Sequence, residues 1–116
     1  MQVQLNTDRQ ITVNDQLAQQ VERVLQGALS RFADQVTRVE VHLSDENSEK
    51  GGDNDKRCLL EARLAGLRPV AVSHQAGTLQ QAIDGAAQKL ERSIESTLGR
   101  LGNKKGRSSY GGDQTV

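Results

Sequence analysis

Cys58 and His74 are the two residues of this chain best suited to covalent chemistry. A thiol beside an imidazole can act as a nucleophile, because the imidazole accepts the thiol proton. The two residues fall on alternating stretches that predict adjacent strands, and a turn near Gly66 and Leu67 would place them opposite each other with the same inward parity. The sequence offers no obvious third residue to orient the histidine. We therefore interpret Cys58 as a small buried hydrophobic residue beside a histidine, and we predict that the chain is not an enzyme.

The acidic segment 45–55 is the candidate for metal binding. It carries five acids against one lysine, a local charge of −4. Its start resembles an EF-hand loop, but Lys50 stands where glycine is required and Lys56 stands where the bidentate glutamate is required. His42 is predicted to face outward alone. We therefore predict no metal and no cofactor, and we interpret the segment as a solvated hairpin loop.

A basic segment, residues 89–107, points to nucleic acid. It carries six bases against two acids, although the whole chain has fifteen of each and a formal net charge of zero. Neutral composition alone argues against a nucleic-acid binder, but a chain with segregated charge can still present a positive patch. The alternative is two solvated surfaces that happen to differ in sign. With only two aromatic residues, Phe32 and Tyr110, stacking on single-stranded bases is not expected.

A long amphipathic helix, predicted over Thr78 to Leu101, positions this basic segment. Its apolar residues recur at helical spacing and form one stripe: Leu79, Ile83, Ala86, Ala87, Leu90, Ile94, Leu98 and Leu101. Lys89, Arg92 and Arg100 lie on another side of the helix. An acidic strip, Asp84, Glu91 and Glu95, lies on a third. The helix should therefore dock on a core and present separate acidic and basic edges to solvent.

The rest of the chain predicts an α+β domain with the order β-α-β-β-β-α. Asn14 is a favoured N-cap for a first helix over Asp15 to about Phe32, and Gly27 inside that helix is expected to mark close packing. Three consecutive strands after it favour a four-stranded, mainly antiparallel sheet with both helices on one face. We predict that residues 1–101 form the domain and that residues 102–116 form a disordered basic tail.

Length and composition agree with one small domain. A chain of 116 residues can bury a modest core, and a single cysteine suits a reducing compartment. No apolar run approaches the roughly 20 residues that cross a bilayer, and the first ten residues lack the pattern of a signal peptide. We expect a cytoplasmic protein that does not bind membranes.

Three segments resemble the hibernation-promoting factor family of bacterial ribosome-associated inhibitors, formerly called sigma-factor modulation proteins. They are VEVHLSDEN from Val39, KRCLLEARLAGLRPVAVSH from Lys56 and QQAIDGAAQKLERSI from Gln80. The resemblance covers about residues 1–101, and AIDGAAQKLER is its most specific part. It implies a fold like that of double-stranded-RNA-binding domains, and a non-catalytic translation inhibitor that acts in stress and stationary phase.

The resemblance also implies a partner and a site. Members bind the small ribosomal subunit, through ribosomal RNA, where messenger and transfer RNA would lie, with no small-molecule substrate. Helix positions Lys89 and Arg92 carry over directly, and the basic extension Arg100, Lys104, Lys105 and Arg107 follows them. Arg23 and Arg31 are what remains of a first helix that is lysine-rich in familiar members. We expect a monomer off the ribosome. The alternative is a protein-interaction module of the same fold that uses the acidic loop 45–55.

Overall fold

The computed structural model describes residues 1–8, 11, 13–45 and 56–105, and of residues 101–105 it describes the backbone alone. The elements follow the predicted order. They are β1 (Gln2–Thr7), α1 (Asp15–Leu29), a 3-10 turn (Ser30–Phe32), β2 (Val36–Asp45), β3 (Lys56–Leu64), β4 (Val70–Ala76) and α2 (Leu79–Lys105).

The four strands form one mixed sheet in the order β1-β2-β3-β4. β1 pairs parallel with β2, because α1 carries the chain back across the sheet between them. The β2–β3 and β3–β4 pairs are antiparallel, and the β3–β4 turn contains Gly66 with a φ of 73°, a conformation that glycine adopts without strain. The predicted fold class is confirmed.

The core lies between one face of the sheet and the two helices. Inward residues of β2 and β3 pair in register, as Val41 does with Leu60, and both are fully buried. Leu25 of α1 and Leu90 of α2 are also fully buried and belong to the same cluster. The opposite face of the sheet, with residues such as Arg38 and Arg63, is the open face.

Side-chain caps fix where both helices begin. The Asn14 side chain accepts a hydrogen bond of 2.8 Å from the backbone N–H of Leu17. The Thr78 hydroxyl likewise accepts one of 3.1 Å from the N–H of Gln81. These bonds satisfy N–H groups that the first turn of a helix leaves without backbone partners.

The last helix ends at Lys105 instead of the predicted Leu101. A single glycine such as Gly102 lowers helix stability by only about 1 kcal/mol relative to alanine, so it does not end a helix that is well packed before it. Residues 106–116 of the predicted tail lie outside the described residues, and the division into domain and tail stays a prediction. No helix among the described residues is long and apolar enough to cross a membrane.

The expectation of close packing at Gly27 is wrong. A Cβ added there would meet nothing within 4 Å, because Gly27 lies on the exposed side of α1. Close packing is found instead at Gly85 of α2, where a Cβ would lie 2.7 Å from Cγ of His74 and closer still to two other ring atoms.

Candidate nucleic-acid interface

α2 presents three kinds of surface, as its sequence predicts. Ile83, Leu90 and Ile94 are fully buried against the sheet. Glu91 and Glu95 lie on the side that faces α1, since both contact Arg31 at the end of that helix. The basic residues lie on the remaining side.

The basic edge of α2 consists of Lys89, Arg92 and Arg100, all exposed. The Lys89 ammonium donates a hydrogen bond of 3.0 Å to the backbone carbonyl of Ser73, which lies on the edge strand β4. Lys89 and Arg100 are eleven residues apart, which is about three helical turns. They therefore point to nearly the same side of α2, about 16 Å apart along the helix axis.

None of these three cations is paired with a carboxylate among the described residues. Arg100 donates to two neutral hydroxyls of its own helix, Ser96 at 2.8 Å and Thr97 at 3.5 Å. Arg92 has no hydrogen-bond or ion-pair partner within the described ranges. The positive charge of this edge is therefore not compensated locally.

Arg31 is differently placed from the other candidates. One of its guanidinium nitrogens lies 3.3 Å from a Glu91 oxygen and 3.3 Å from a Glu95 oxygen. The guanidinium also lies 4.6 Å from the centre of the Phe32 ring. The structure therefore separates Arg31 from the basic edge of α2, and the acidic strip lies between them.

α1 and α2 run parallel. Two contacts show this: Gln20 contacts Gln80 near the beginnings of both helices, and Arg31, just after the end of α1, contacts Glu91 further along α2. A groove of about 520 Å³ lies between the first three turns of α1 and the start of α2, lined by Gln16, Gln19, Gln20, Arg23, Val24 and Gln80. Arg23 is exposed there, with no partner in the part of the chain described. It is thus available to a ligand, as Arg92 is.

The first part of the basic extension beyond Arg100 continues α2. Lys104 and Lys105 belong to α2, but their side chains are not described. Arg107 lies outside the described residues, as do residues 46–55 of the acidic loop. At the base of that loop, Lys56 and Asp45 form an ion pair of 3.2 Å.

Cys58 and His74 are register partners on β3 and β4, as predicted. Cys58 is fully buried, and its burial raises the pKa of the thiol from 9.0 to about 12. Such a thiol is neutral at physiological pH and a poor nucleophile. The described residues include no group of three or more potential metal ligands from His, Cys, Asp and Glu.

Sequence reasoning missed two clusters. One is the contact of Arg31 with Glu91 and Glu95, since nothing in either segment alone reveals that the helices run side by side. The other lies on the open face, where Glu40 is within 3.2 Å of Arg38 and 3.9 Å of Arg63. The alternation of β2 and β3 could have indicated the second cluster, because it sets these residues on one face.

The chain is similar to one protein family and to solved structures of known proteins. A family model described as "Sigma 54 modulation protein / S30EA ribosomal protein" matches residues 6–101. The N-terminal domain of Protein Y from Thermus thermophilus has a TM-score of 0.68 and 24% identity, over 84% of this chain and 99% of that one. A ribosomal subunit interface protein from Coxiella burnetii has a TM-score of 0.68 and 16% identity, over 85% and 99%. No curated protein matches the chain.

Proposed function

The chain belongs to the sigma 54 modulation protein / S30EA ribosomal protein family, and we propose that it inhibits translation by binding the small ribosomal subunit near the decoding channel. Family membership confirms the resemblance to hibernation-promoting factors. Members are ribosome-associated, non-catalytic factors, so the prediction that the chain is not an enzyme is confirmed. A factor of this kind works in the cytoplasm, where ribosomes are.

The basic edge of α2 carries the proposal. Lys89, Arg92 and Arg100 are exposed and have no carboxylate partner among the described residues. A phosphate can therefore bind these cations without first breaking an ion pair within the protein. Contact with phosphates needs only cations at suitable spacing, and each contact releases counterions from the nucleic acid.

Folded RNA suits this edge better than single-stranded RNA does. Double-stranded and folded RNA is recognised through shape, phosphates and 2′-hydroxyls, which a rigid helix of lysine and arginine can contact. Single-strand recognition relies on aromatic stacking, and Phe32, the one Phe, Tyr or Trp among the described residues, is buried. The proposed ligand is therefore structured ribosomal RNA of the small subunit. Lys104, Lys105 and Arg107 follow this edge in the sequence, and the proposal includes them as further RNA contacts.

Neutralising two residues of the edge tests the proposal. The Lys89→Gln/Arg92→Gln variant should bind purified small subunits about 10- to 100-fold more weakly at moderate salt, and the slope of log affinity against log salt should fall by about 2 because two phosphate contacts are lost. Affinity is measured by co-sedimentation or fluorescence anisotropy over a range of salt concentrations.

A matched control removes the same charge from the other side of the molecule. Arg38 and Arg63 lie on the open face of the sheet, so the Arg38→Gln/Arg63→Gln variant should bind nearly as the wild type does. Equal loss in both variants would mean that net charge alone governs binding and would reject the assignment to α2. If the wild-type protein does not bind purified small subunits, the proposed function is wrong.

The hibernation role adds a prediction about cells. In lysates from stationary phase the protein should sediment with ribosomal fractions, and it should leave them as salt is raised. Added to a purified translation reaction, it should inhibit initiation in proportion to its occupancy of small subunits. Inhibition without binding to the small subunit would contradict the proposed mechanism.

A further inference from the structure

Arg31, in the 3-10 turn that follows α1, lies in a seat formed by Glu91 and Glu95 of α2 and by the ring of Phe32. Its guanidinium lies 3.3 Å from a carboxylate oxygen of Glu91 and of Glu95 and against the face of the Phe32 ring. The two glutamates are one helical turn apart on α2, so they reach the same cation together. The carboxylates outnumber the guanidinium, and the seam between the helices is locally negative.

This arrangement differs from that of every other candidate cation with described side chains. Lys89 and Arg100 hydrogen-bond to neutral oxygen atoms, whereas Arg31 is bound to two anions. Because one guanidinium nitrogen of Arg31 contacts both carboxylates, a phosphate must compete with them for Arg31, and the same carboxylates repel it as it approaches. The side chains of Arg31, Glu91 and Glu95 are 52%, 36% and 58% exposed, so the seat is open enough for a phosphate to compete for it.

We propose that Glu91 and Glu95 are specificity determinants that withhold Arg31 from RNA phosphate, so that RNA contact is confined to the basic edge of α2 and to Arg23 of α1. The inference rests on the proposed function, because it concerns the boundary of the same RNA-binding surface. In this arrangement α1 contributes Arg23 to the surface, and Arg31 holds α1 to α2 instead.

Removing both carboxylates while keeping their shape tests the proposal. The Glu91→Gln/Glu95→Gln variant should bind small subunits about tenfold more tightly at moderate salt, and its log affinity against log salt should steepen by about 0.9 because one more phosphate is neutralised. Glu22→Gln/Asp34→Asn removes two exposed carboxylates elsewhere and should change affinity by less than about twofold.

The same pair of substitutions in an Arg31→Gln background identifies the cause. If the glutamates act by holding Arg31, their removal there should raise affinity by only about twofold, the effect of relieved repulsion in salt. An equal gain in both backgrounds, an unchanged salt slope, or an equal gain in the control variant would overturn the proposal. Circular dichroism of each variant establishes that it is folded.

A second measurement separates this inference from the proposed function. Inorganic phosphate is titrated into labelled protein, and the Nε–Hε resonance of Arg31 is followed by NMR. It should shift in the Glu91→Gln/Glu95→Gln variant and stay in place in the wild type. That result would stand even if wild-type protein failed to bind small subunits. A resonance that shifts equally in both proteins would overturn the inference.

Discussion

Replacing Gly85 by alanine should destabilise the protein, although alanine is the better helix former. In the middle of a helix, alanine is favoured over glycine by about 0.8–1.0 kcal/mol. At Gly85, however, the new Cβ would lie 2.7 Å from Cγ of the His74 ring and closer still to Cδ2 and Nε2. Ordinary contact begins at about 3.4 Å, so the imidazole would have to move away from the helix.

The imidazole has little room to move inward. His74 pairs in register with Cys58, which has no exposed surface, and the ring is half-buried beneath α2. Overpacking in such a place costs about 1–3 kcal/mol. After the gain in helix propensity, we expect the Gly85→Ala variant to lose up to about 2 kcal/mol of unfolding free energy.

Urea denaturation followed by circular dichroism measures this loss, and Gly27→Ala is the matched control. Gly27 is also inside a helix, but nothing lies within 4 Å of its Cβ position, so alanine there should stabilise by about 0.4–1 kcal/mol. A His74→Ala substitution should relieve much of the Gly85→Ala penalty, which a double-mutant cycle would show as coupling. If both glycine variants gain stability alike, the reasoning about His74 is refuted.

Two further predictions concern stability. Because burial raises the pKa of Cys58 to about 12 while the unfolded thiol titrates near 9.0, its stabilising effect is complete below pH 9 and is lost as pH rises toward 12. The loss amounts to about 1 kcal/mol at pH 10. A Cys58→Ala variant should therefore show a shallower decline between pH 9 and 10.5 in denaturant titrations, and parallel declines would contradict the assignment. Asn14→Ala and Thr78→Ala should each lower the unfolding free energy by about 1 kcal/mol through loss of a helix cap; a loss within error of zero for both would mean that water replaces the caps.

The sequence was sufficient for the sheet because alternation carries direct information about which face a residue occupies. Alternation along β2 and β3 predicts that Val41 and Leu60 face inward, and they are fully buried register partners. The pairing of Cys58 with His74 was also predictable, since the turn around Gly66 sets the register of β3 against β4.

Contacts between elements far apart in sequence were beyond the same reasoning. Helical spacing shows that Gly27 and Gly85 both interrupt a helix, but it does not show which one faces a ring from the sheet. The link between Arg31 and Glu91 depends on two helices lying parallel, a property of the assembled fold. For this reason the sequence alone groups Arg31 with the RNA-binding cations, although in the fold its charge is compensated by two glutamates.

The neutral net charge of the chain is compatible with RNA binding because α2 has two unlike edges. On the side facing α1, Glu91 and Glu95 outnumber the arginine that they contact. On the side facing the edge of the sheet, Lys89 and Arg100 contact only neutral oxygens. At physiological salt, fields from exposed charges decay over about 8 Å, so a phosphate at one edge is governed by that edge and hardly by the total. Affinity for RNA should therefore follow substitutions on the basic edge closely and the net charge of the protein only weakly.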